Sequence, residues 1–166
     1  MESFVSPKAN TYTKLFSKEA IQVILDVFTR LVEQGEAYRF EKLEDMLIAS
    51  NYAGIAFGNV GVGAVHAFSY PLGGKYHVPH GEANCQFLTE IFKLYNKKAP
   101  TGVIQDLNAL LSQRLQQSKT MGNDVYEKLD LLLANLISKK QLRTYGMTKE
   151  EIERFAQSVL ETHNVY

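Results

Sequence analysis

The run 61-GVGAVHAFSYPLGGKYHVPHGEAN-84 decides how this chain is read. It carries three of the 4 histidines, five of the 11 glycines and two of the 4 prolines. On either side, apolar residues recur at three- and four-residue steps, the spacing of amphipathic helix. Turn residues and ionisable rings gathered inside an otherwise helical chain mark a site carried on a scaffold.

Inside the run, the small apolar stretch Val62 to Tyr70 predicts a short buried helix. Pro71 is expected to end it, because the residue before a proline is pushed out of the helical region. Gly73-Gly74 then predicts a loop leading to Pro79-His80-Gly81. Helical character resumes from Glu82 to about Lys97, with Phe87, Ile91, Leu94 and Tyr95 on one side.

Upstream, residues 1–10 are polar and read as the lead-in to a helix, punctuated by Pro7 and Asn10. Ile21, Ile24, Val27/Phe28 and Leu31/Val32 define one face of a helix from about Thr11 to Gln34, which Gly35 is placed to stop. A second helix fits about Arg39 to Asn59. Leu43, Met46/Leu47 and Ser50 share one side of it. Ala53, Gly54, Ala56 and Gly58 follow, small enough to let another backbone come close. Downstream, Pro100 and Gly102 precede a helix from about Val103 to Gln117, and Gly122-Asn123 reads as a turn. Leu129, Leu132/Leu133 and Leu136 mark a helix from about Val125 to Ser138. Thr148 followed by Glu151 is a capping-box pattern, and it opens a last helix through Ile152, Phe155 and Val159. No stretch alternates with a period of two. The expectation is an all-α domain of six or seven helices spanning 1–166.

Composition narrows the functions. With 166 residues and 45% hydrophobic content, the chain can bury a core. Eighteen basic residues balance 18 acidic ones, so nothing draws it to nucleic acid or an anionic membrane. No apolar run reaches the roughly 20 residues a bilayer span needs. The start, MESFVSPKAN, lacks the basic and apolar regions of a signal peptide. The single cysteine, Cys85, allows no internal disulfide and suits a reducing compartment. A cytoplasmic location is expected.

His66, in a small-residue apolar segment, and His80, in Pro-His-Gly at a helix start, are the leading metal-ligand candidates. Imidazole is a common ligand for divalent first-row metals. Their spacing, 80 − 66 = 14, matches no short metal motif, so each also reads as a hydrogen-bonded core or loop histidine. His77 has the same two readings. His163, in a polar tail, reads as solvated. Tyr70 lies four residues after His66, on the same helical face. It is either an aromatic core residue or a phenol near a metal-bound substrate. Gly58, Gly61 and Gly63 follow a helix and not a strand, so they are no dinucleotide fingerprint, and Gly73-Gly74-Lys75-Tyr76 lacks the Ser or Thr of a phosphate loop. Cys85 has no evident activating base and reads as an inert thiol.

The stretch His66-Ala-Phe-Ser-Tyr-Pro-Leu-Gly-Gly-Lys-Tyr-His-Val-Pro-His80-Gly-Glu-Ala-Asn84 closely resembles the signature of the iron-dependent (group III) alcohol dehydrogenases. Asn51-Tyr-Ala-Gly-Ile-Ala-Phe-Gly-Asn59, Glu2-Ser-Phe-Val-Ser6 and Tyr145-Gly-Met-Thr-Lys-Glu-Glu-Ile152 are similar to the same family. Within it, Ser69-Tyr70-Pro71 and Tyr76-His77-Val78-Pro79 look most like the 4-hydroxybutyrate dehydrogenases.

The resemblance implies a C-terminal helical domain of a two-domain enzyme, whose N-terminal α/β half binds NAD(P). It implies one divalent metal, Fe2+ or Zn2+, held by one Asp and three His, of which His66 and His80 match two. The other two lie in the family as Asp-x-x-x-His, with the His three residues before the position of Glu2, which falls ahead of Met1. On this reading the nucleotide-binding domain and part of the first helix are absent, through an expression boundary, a shifted gene start or a partial gene. Many family members carry a histidine where Tyr70 stands, in a substrate proton relay. That role passes here to Tyr70 or His77. Phe57 matches an aromatic position lining the cleft beside the cofactor.

The implied reaction is NAD(P)-dependent oxidation of a primary alcohol to its aldehyde, with 4-hydroxybutyrate as a candidate. The metal serves as Lewis acid toward the substrate hydroxyl, and hydride passes to the nicotinamide. With two ligands only, the chain alone is expected to hold metal weakly and to lack turnover. Helices that would face the other domain are expected to expose apolar surface, favouring a homo-oligomer or self-association. The alternatives are a stand-alone helical metal-binding module and an interaction domain without catalysis.

Overall fold

The computed structural model describes residues 1–116 and 124–162, the last three as backbone only. Among the described residues there are helices and no strand, the all-α architecture expected. A single turn, α1 (Glu2–Val5), leads into the long helix α2 (Thr11–Gln34). Asn10 caps α2 in both directions. Its side-chain oxygen accepts from the Thr13 N–H at 3.0 Å, and its own N–H donates to Thr13 Oγ1 at 2.9 Å. Gly35, at φ 89°, ends α2 in a backbone conformation that favours glycine.

The helix expected over Arg39–Asn59 is two. A turn, α3 (Tyr38–Glu41), is anchored by the buried Tyr38, and α4 (Leu43–Val60) follows after a break at Lys42. α4 packs mainly on α2. Its buried side chains are Ala49, Ala56 and Val60, whereas Leu43 and Leu47 are 52% and 67% exposed. Alanine thus sets the close approach. Gly54 and Gly58, expected to share it, have nothing within 4 Å of where a Cβ would lie.

Pro71 does not end its helix. α5 runs from Ala64 to Tyr76 straight through it, and Gly73-Gly74 are helical. The proline forfeits the N–H that Ala67 would have received. Leu72, 0% exposed among Val78, Ala83 and Met147, supplies the packing that carries the helix onward. His77 closes α5 in the left-handed region, its N–H donating to Gly73 O at 3.1 Å. Only three residues then separate α5 from α6 (His80–Lys98).

α7 (Val103–Leu115) starts at Gly102, and α8 (Val125–Ala134) is capped by Asp124, which accepts from the N–H groups of Tyr126 and Glu127 at 2.7 and 2.9 Å. A 3-10 turn (Leu142–Tyr145) precedes α9 (Lys149–Thr162), whose Thr148–Glu151 capping box forms as expected. α8 stops four residues before the expected end at Ser138. Gln117, the Gly122-Asn123 turn and His163 lie outside the described residues.

Two apolar clusters organise the helices. The larger joins Phe4 of α1, Ile21 and Leu25 of α2, Val65 of α5, Phe92 of α6 and the leucines of α7 and α8. The smaller joins Leu72 and Val78 to Ala83, Met147 and the inner face of α9. α5 spans both, with its N-terminal end in the first and its C-terminal end in the second. No helix among the described residues is long and apolar enough to cross a membrane.

Candidate metal centre

The N-terminal end of α5 is held by a carboxylate from the far end of the chain. Gly63 precedes the helix and offers no side-chain cap. Glu2 of α1 fills that role: its Oε1 accepts the Val65 N–H at 2.7 Å. A negative group at a helix N-terminus is favoured by the helix dipole and by unpaired N–H groups. Gly63 makes the approach possible, since a Cβ there would fall 2.8 Å from Glu2 Oε1. Burial pushes the Glu2 carboxyl up. Hydrogen bonds from His66 and Val65 outweigh this, so it lies below the usual carboxylate range.

Glu2 Oε2 lies 2.5 Å from His66 Nδ1. A carboxylate there accepts the Nδ1–H, and in the neutral form that a metal ligand must take, the ring is left with a bare Nε2. That Nε2 lies 3.4 Å from Asn84 Nδ2, and His80 Nε2 lies 3.0 Å from the same amide nitrogen. The two rings are 5.3 Å apart between centroids, inclined at 50°. Two imidazoles fourteen positions apart therefore bring their Nε2 atoms to one small volume. Two imidazole Nε2 atoms facing one point, one of them on a ring whose Nδ1 is engaged, are donors a divalent first-row cation takes, so these residues fit such an ion. Among the described residues no group of three or more His, Cys, Asp or Glu could hold a metal ion, so the pair supplies two donors.

The other candidates divide around this pair. Tyr70 sits one turn beyond His66, edge-on to its ring at 6.3 Å, and is half exposed. Phe57, on α4, lines a cavity of about 330 Å³ together with Glu2, His66, Asn84 and Val62. His77 is at the other end of α5, exposed at the helix cap. Eleven residues of helical rise (77 − 66) put it about 16 Å from His66 along the axis. It forms no part of the cluster around Asn84. Cys85 is a free thiol pushed up by burial, in keeping with an inert role.

Glu2 and Asn84 were not recognised from sequence as part of the chemistry. Asn84 had a legible signal, four residues after His80 and so on the same helical face. Glu2 stood in the family-like stretch Glu2-Ser-Phe-Val-Ser6, but nothing there tied it to Val65 and His66, over sixty positions away.

The chain belongs to the Fe-containing alcohol dehydrogenase family: the family's C-terminal domain model matches residues 1–166. Among individual relatives, it is 56% identical over 160 residues to 4-hydroxybutyrate dehydrogenase of Clostridium kluyveri, covering 96% of this chain and 42% of that protein. It is 29% identical to 1,3-propanediol dehydrogenase of Klebsiella pneumoniae, covering 100% of this chain and 43% of that protein. The crystal structure of a 1,3-propanediol oxidoreductase superposes with a TM-score of 0.73 at 26% identity, over 99% of this chain and 43% of that one. The chain thus spans less than half the length of the relatives it matches.

Proposed function

We propose that this chain is the metal-holding helical half of an NAD(P)-dependent alcohol dehydrogenase that oxidises a primary alcohol of the 4-hydroxybutyrate type. The observation that carries the metal half is the convergence of His66 Nε2 and His80 Nε2 on Asn84 Nδ2. The substrate half rests on the 56% identity to a 4-hydroxybutyrate dehydrogenase.

His66 and His80 would hold the divalent cation, Fe2+ or Zn2+, alongside ligands that the described residues do not supply. A cation there supplies Lewis acidity toward a substrate hydroxyl. Glu2 keeps His66 in the tautomer that presents Nε2. Phe57, on the cavity wall, shields the substrate from water. Tyr70, one turn from His66 and half exposed, would relay the hydroxyl proton that oxidation releases, accepting it at Oη while passing its own phenolic proton to solvent. His77 lies too far along α5 for that step and would act only where solvent takes the proton. NAD(P) binds mainly to residues outside this chain, with Phe57 on its side of the cleft.

Supplying the chain with a nucleotide-binding half that contains Asp-x-x-x-His should yield NAD(P)-dependent oxidation of 4-hydroxybutyrate. His66→Ala and His80→Ala should each abolish it. Activity indifferent to both changes contradicts the proposal. The chain by itself should lose iron or zinc on dialysis, and a stoichiometric metal retained in elemental analysis contradicts the two-donor account.

A further inference from the structure

The side chain of Asn84 is an oddity at this site. Its Nδ2 faces both ring nitrogens, while its Oδ1 is buried with no hydrogen-bond partner. An amide is normally turned to satisfy its carbonyl, and the reverse orientation looks equally available. The chain of partners excludes it. Glu2 takes the Nδ1–H of His66, and in the neutral ring that metal binding requires, His66 Nε2 then has a lone pair and no hydrogen. A carbonyl turned toward that lone pair would meet a second acceptor. Only the NH2 end of Asn84 can face it, and an NH2 has two hydrogens for two acceptors.

We infer that Asn84 is a positioning residue that occupies both metal-binding lone pairs in advance. One amide hydrogen goes to His66 Nε2 and the other to His80 Nε2. His66 owes its tautomer to Glu2 as well. Among the described residues His80 has no hydrogen bond besides the one to Asn84, so its Nδ1–H tautomer depends on this amide. Both rings thus stand ready to bind through Nε2. A cation must take the two lone pairs from the amide, so Asn84 releases both rings as the site fills. This rests on the metal-site reading above and adds a residue and a sequence of events to it.

The test is nitrogen-15 NMR of the 166-residue chain, metal-free and at neutral pH. Long-range proton–nitrogen correlations should report a protonated Nδ1 and a bare Nε2 for both His66 and His80. Asn84→Leu should shift His80 toward the Nε2–H form, whereas His66, held by Glu2, should not move. Titration with zinc should then move the Asn84 side-chain amide resonances in step with the two Nε2 resonances. An Nε2–H form of His80 in the unsubstituted chain overturns the inference without any variant. So does an Asn84 amide that stays put while both rings take up zinc. If zinc leaves His66 and His80 unmoved, the metal-site reading fails, and the metal-free tautomers still decide the role of Asn84.

Discussion

The two ends of α5 carry one histidine each and treat it differently. At the N-terminal end, His66 is half-buried, tied through Nδ1 to Glu2 and faced by Asn84 at Nε2. At the C-terminal end, His77 is exposed in a left-handed cap, used for its backbone. The first end sits on the larger core, and the second is clamped to α9 by Lys75 and Tyr76, both bonded to Glu151. The difference teaches that position alone does not make a histidine a ligand candidate: at His66 the second ring nitrogen has a partner, and at His77 none is seen among the described residues. A partner there fixes which lone pair is free.

The contrast can be broken at its foundation. Phe92, 0% exposed, supports the His66 end of α5 through the larger core. Phe92→Ala should cost about 4 kcal/mol in urea unfolding and loosen the site with it. A loss below about 1 kcal/mol would mean that this core does not hold the N-terminal end.

Glu2→Ala removes two interactions at once, leaving the Val65 N–H buried and His66 Nδ1 unpartnered. About 2–3 kcal/mol should be lost, since an orphaned buried donor costs its desolvation. The His66 tautomer should randomise along with it. A variant as stable as the parent would assign Glu2 no structural role.

His77→Gly should act in the opposite sense. A non-glycine residue at φ 55° carries strain, so glycine should raise stability by about 1 kcal/mol and leave zinc binding unaltered. Weakened zinc binding would put His77 back at the site.

The smallest effect is a pH dependence at the α9 end. The Lys75 ammonium, the Thr148 N–H and the Tyr76 hydroxyl hold the Glu151 carboxyl down at about 2, from an ordinary 4.5. A depressed carboxyl contributes stability that is full above the ordinary value and lost as pH falls through the depressed one. The protection of α9 amides relative to their intrinsic exchange should therefore be flat above pH 4.5 and fall between 4.5 and about 2. In Glu151→Gln that acid-dependent step should vanish.

Much of this was legible beforehand because helical period, caps and glycine stops are local signals. α2 ends at Gly35, and Thr148 caps α9, where local chemistry puts them. Where the reading failed, tertiary packing won. Pro71 is a helix breaker by every local rule, yet burial of Leu72 carries α5 past it. Leu43 and Leu47 have a core-facing period, yet alanines hold the interface with α2. At the site, the family signature exposed His66 and His80. The role of Glu2, though it lies in a family-like stretch, could not be found that way, because its bonds to Val65 and His66 are made only once the chain has folded.

The central claim is that His66 and His80 serve a single cation. Titrating the chain with cobalt(II) while following the histidine ring resonances tests it directly. The account predicts that both rings broaden together, at the same low cobalt occupancy and with one cobalt per chain, while the His77 ring lags. Separate saturation of the two rings, or broadening of His77 ahead of either, would contradict it.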